Sequence, residues 1–187
     1  LQQQHTFAEF IEQFEHLPTP LCKRVLDYLV AIEEELHFVP FHELMNLSLL
    51  LDREPNLERT LLVYKTVRRL VERNAQYKAY LEQAGMLHIS AKLLRALPTA
   101  ENPDWNVYNV LLDMLALLLA ESPLNCAHFL KNTGNSVESL VPAIEQTVTR
   151  AGALKLVQLL MIGVPEKSVS IVNVLMNLLR NSKEDKQ

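Results

Sequence analysis

Glycine fills only 4 of 187 positions, about 2% where roughly 7% is usual. That scarcity removes most of the ways in which a chain turns sharply. A series of type I′ hairpins, a phosphate-cradling loop or a dinucleotide fingerprint each needs glycine at fixed offsets. The enzyme classes built on such turns are excluded with them. What remains is a fold of long elements with few corners. Apolar residues make up 49% of the chain, enough to bury a core and unlike a disordered segment. The formal charge of −4 argues against a protein that grips a phosphate backbone.

Helical periodicity runs through nearly every segment. Thr6 reads as an N-cap with Glu9 completing a capping box, and Phe7, Phe10, Ile11, Phe14 and Leu17 share one face. Pro18 and Pro20 stop that helix, and Pro20 opens the next at its first turn. Leu21, Val25, Tyr28, Leu29 and Ile32 form the second stripe, which closes on Glu33, Glu34 and Glu35. Pro40 breaks the chain again. Further helices are expected over 41–51, 55–74 (begun by Pro55), 76–84, 86–97, 105–120, 123–134, 136–150, 153–162 and 168–181, with a loop over 99–104. The count is about eleven helices and no strand.

The pattern also repeats itself. Tyr80-Leu81-Glu82-Gln83-Ala84-Gly85 lines up with Phe129-Leu130-Lys131-Asn132-Thr133-Gly134. Ala84-Gly85-Met86-Leu87 pairs with Ala151-Gly152-Ala153-Leu154, and the helix over 110–122 echoes 172–182. Short helix, glycine, middle helix, loop and long helix is the grammar of an armadillo repeat. Gly85, Gly134 and Gly152 are expected at repeat corners, where a left-handed residue lets the next helix turn away, and Gly163 in a loop before Pro165. The expected fold is all-α, one armadillo/HEAT-like α-solenoid of about three repeats spanning 1–187.

Leu36-His37-Phe38-Val39-Pro40-Phe41-His42-Glu43-Leu44-Met45-Asn46-Leu47-Ser48-Leu49-Leu50-Leu51, with the upstream Leu17-Pro18-Thr19-Pro20-Leu21, is distinctive beyond its composition. It resembles the armadillo-like region of large BEACH-domain proteins, in particular the Alfy (blue cheese) branch. There a similar leucine-rich phrase follows a helix introduced by leucine-proline. The resemblance continues through 78–87 and 127–134 and covers 15–134; beyond that only the helical layout agrees. The 135–150 stretch departs from the family and the 98–104 loop is shorter, as in a distant homologue. The resemblance implies a non-enzymatic scaffold acting in membrane trafficking or selective autophagy. The family's BEACH, PH-like, WD40 and FYVE modules lie elsewhere, so no lipid- or cargo-binding residue carries over.

Catalytic and metal motifs are not supported. His42-Glu43-Leu44-Met45-Asn46 starts like a zinc-protease helix but has Asn46 where a second histidine is required. Cys126 and His128, two apart on a helix, point to different faces. No nucleophile elbow accompanies the scattered serines and histidines. We expect no cofactor, no metal and no enzyme activity. Two cysteines, Cys22 and Cys126, do not make a disulfide framework, so a reducing compartment is expected. Residues 1–5 lack a signal-peptide layout, and the longest apolar run, 110–120, is interrupted by Asp113. The sequon Asn46-Leu47-Ser48 lies inside a helical stripe and reads as chance. These features predict a cytoplasmic protein that meets endosomal or autophagic membranes only through other modules. From the way the sequence starts and stops, a segment of a larger chain is expected, with apolar ends that self-associate end to end.

The strongest surface feature is basic. Lys65, Arg68, Arg69 and Arg73 share one side of the 55–74 helix, with Arg59 one or two turns earlier. In an armadillo stack this helix lines the concave groove, where such a patch receives an acidic peptide or anionic surface. The alternative is a solvated face partly neutralised by Glu58 and Glu72. The groove asparagines of peptide-binding armadillo proteins would fall at Arg69, Leu117 and Asn177, and only Asn177 fits. Trp105 and Tyr108 are either interface aromatics or plugs at the end of a repeat. The expected partners are proteins and neighbouring domains of the same chain, with no nucleic acid and no membrane insertion. The competing reading is an armadillo GTPase-binding regulatory module of the kind found in formins.

Overall fold

A computed structural model of the protein describes residues 13–39, 41–53, 56–99, 103–134 and 137–184. Among the described residues the chain is all-α, with ten α-helices and no strand. These are α1 (Thr19–Leu36), α2 (Phe41–Arg53), α3 (Leu57–Arg73), α4 (Tyr77–Gln83), α5 (Met86–Ala96), α6 (Trp105–Leu119), α7 (Pro123–Asn132), α8 (Val141–Glu145), α9 (Arg150–Gly163) and α10 (Ser168–Glu184). The capping box at Thr6, the Phe7–Ile11 stripe and the breaks at Pro40 and Pro55 lie outside the described residues.

Helix starts follow local chemistry. The Asn56 side chain accepts from the Glu58 and Arg59 amides at 2.9 and 3.3 Å and caps α3. Asp104 does the same for α6 through Asn106 and Val107, at 2.9 and 3.2 Å. Ser122 caps α7, where Pro123 occupies the first turn. Pro20 likewise sits in the first turn of α1. The asparagine of the sequon is nearly buried in α2, and Ser48 returns its hydroxyl to the Leu44 carbonyl at 3.3 Å.

The fold divides into two compact units, 1–89 and 90–187. In the first, α1 packs along α3, and α2 packs against α3 and α4. Leu26, Leu29 and Val30 are buried on α1, as are Val63, Tyr64, Val67 and Leu70 on α3. Each such side chain contributes roughly 1.5–3 kcal/mol when fully buried. The loop after α1 is tied down by the Tyr77 hydroxyl, which accepts from the Val39 amide at 2.9 Å.

In the second unit α9 is the centre, packed against α6, α7, α8 and α10. Leu111, Leu112, Leu115 and Leu119 of α6 and Leu156, Val157 and Leu160 of α9 are all buried. Gly152 is not the corner expected of it. It lies inside α9, where a Cβ would meet the Leu112 side chain at 3.3 Å, so it serves close packing. Gly163 is likewise the last residue of α9 and not a loop residue. Gly85 and Gly134 do turn the chain, with φ of +81° and +76°.

The helix expected over 136–150 is also revised; its start at Ser136 lies outside the described residues. Its described part is a three-ten turn over Glu138–Leu140 followed by the single-turn α8. The chain then leaves the helix at Gln146, whose backbone is extended. Side chains close that end: the Thr149 hydroxyl donates to Ala143 O at 2.7 Å. The Arg150 guanidinium donates to the Ile144 and Glu145 carbonyls at 2.8 and 3.0 Å. These satisfy C-terminal carbonyls that a longer helix would have bonded.

Candidate functional site

Two of the basic residues of α3, Arg69 and Arg73, are held by a neighbouring helix. Arg69 pairs with Asp27 of α1 at 2.7 Å, and Arg73 pairs with Glu34 and lies 3.8 Å from Glu33. Arg68 is paired within α3 to Glu72 at 2.7 Å. Arg59 donates to the Phe14 carbonyl at 3.2 Å and so fastens the start of the described chain to α3. Lys65 is exposed. Of the two acids expected to neutralise the face, Glu58 and Glu72, Glu72 is paired with Arg68, and α1 adds Asp27, Glu33 and Glu34.

Three arginines of α3 are therefore paired with four carboxylates, Asp27, Glu33 and Glu34 of α1 and Glu72 of α3 itself. Most of these side chains are close to half exposed, so each pair contributes on the order of 1 kcal/mol or less and weakens with salt. Glu33 is the exception, with a side chain only 5% exposed. An acidic ligand approaching this face has to displace carboxylates already in place.

The remaining sequence candidates lie in the second unit. Tyr108 is buried, and its hydroxyl lies 3.2 Å from the Leu94 carbonyl and 3.3 Å from that of Ser139. Burial holds its phenol well above the ordinary tyrosine range. Trp105 is half-buried against it, with ring centroids 5.6 Å apart. Asn177 is exposed on α10, Leu117 is half-buried on α6, and Arg69 is engaged by Asp27. The three positions aligned with the groove asparagines of peptide-binding armadillo proteins thus have three different environments.

Two exposed apolar surfaces lie outside these candidates. On α2, Phe41, Met45 and Leu49 recur every fourth residue and stay 38–43% exposed, with Phe38 just before them at 54%. Phe41 meets the Tyr80 ring edge-on at 6.3 Å. On α10, Val169, Val172, Met176 and Leu179 form an exposed stripe, and Ile171 alone is buried over 168–180. One signal did announce the second surface: Ser168–Leu179 contains no charged residue.

The thiol of Cys126 is buried and its pKa raised by burial, which makes it a poor nucleophile. Among the described residues no group of three or more histidines, cysteines or carboxylates is placed to hold a metal ion. No single helix among them is long and apolar enough to cross a membrane, and α9 and α10 are bent by 115° at their junction. No family model matches the chain, and no solved structure matches it.

Proposed function

We propose that the chain is a non-enzymatic helical scaffold and protein-interaction segment. In this reading it is an armadillo-like α-solenoid of about three repeats, of the kind found in large BEACH-domain proteins. It serves membrane trafficking or selective autophagy from the cytoplasmic side. The observation that carries the reading is the recurrence of one corner. A short helix, α4 or α7, ends in a left-handed glycine, Gly85 or Gly134. The surrounding residues echo each other at both places, which is how a stacked repeat reuses one turn.

The apolar face of α2 fits a protein-docking role, because exposed aromatic and Met residues are enriched where proteins meet. The chemistry of the α1–α3 seam fits it less well, since its charges already satisfy one another.

The test is the location of the tagged protein in cells under starvation. Enrichment on endosomal or autophagic membranes, lost in a Phe41→Glu/Met45→Glu variant that remains helical, is the expected result. Purified chain that binds a small GTPase only in its GTP-loaded form sinks this reading and favours the formin-like one.

A further inference from the structure

We draw no further inference here: the strongest candidate, the exposed apolar stripe of α10 formed by Val169, Val172, Met176 and Leu179, is a helix face for which nothing in the structure shows what covers it.

Discussion

A Cβ built on Gly163 falls 2.5 Å from the Cys126 sulfur and 2.8 Å from the Cys126 Cβ, so the end of α9 meets α7 with no room for a methyl group. The contact is between a helix terminus and a thiol that itself donates to the Leu119 carbonyl at 3.4 Å. Neither side yields freely. Gly163→Ala should therefore destabilise the protein by about 1–3 kcal/mol, the usual cost of overpacking. Chemical denaturation measures it. Cys126→Ala removes the sulfur and leaves the Cβ, so the double variant should lose less than the sum of the two single losses. Strict additivity would show that the two residues do not press on each other.

Two buried tyrosines make opposite hydrogen bonds and should respond unequally to loss of the hydroxyl. Tyr77 accepts from the Val39 amide, a donor with a single proton. Tyr108 donates towards the Leu94 and Ser139 carbonyls, each of which has two lone pairs. Tyr77→Phe orphans an amide and should cost about 1–3 kcal/mol. Tyr108→Phe should cost less, about 1 kcal/mol. Thermal unfolding of the two variants, with the order reversed, would contradict this account.

The seam between α1 and α3 supplies a comparison within one kind of interaction. Arg69 and Asp27 are both about half exposed, so Arg69→Ala should cost no more than about 1 kcal/mol, and less in high salt. Arg73 has Glu33 beside it, a carboxylate whose side chain is only 5% exposed. Removing Arg73 leaves that group with less compensation in a place where water reaches it poorly. Arg73→Ala should therefore exceed Arg69→Ala by about 1 kcal/mol or more. Urea denaturation at low and high salt separates the two, since the Arg69 effect should fade while the share of the Arg73 effect owed to the buried Glu33 should persist.

The helices were legible because proline, caps and apolar spacing are local. Asn56, Asp104 and Ser122 start helices by bonding amides two or three residues ahead. The failures lie where a distant atom decides. Glycine inside an apolar run reads equally as a corner or as a close approach. At Gly152 the deciding neighbour is Leu112, on another helix. The break after α8 turns on Thr149 and Arg150 returning their side chains to carbonyls five and six residues back, which competes with the helical pattern without disturbing it. The basic stripe of α3 was visible as a stripe. Its neutralisation was not, because Asp27 stands 42 residues from Arg69 and pairs with it only through the packing of α1 on α3.

Glu43 carries a penalty that pH should expose. Burial in α2 raises its carboxyl above the ordinary value of 4.5, while the Asn46 amide and then His42 lower it by less. The amide contact is long, at 3.4 Å. The folded chain thus keeps this proton at pH values where the unfolded chain has released it. In that window the folded state binds more protons, so stability falls as pH rises from about 4.5 through the raised pKa and stays reduced up to neutrality. Glu43→Gln removes the dependence. The variant should be more stable than the parent at pH 7, and the gain should vanish as pH drops below the ordinary carboxylate range. Thermal unfolding of both proteins across pH 3 to 8 measures the difference. A variant less stable than the parent at pH 7 would mean that a partner makes the Glu43 carboxylate favourable in the fold.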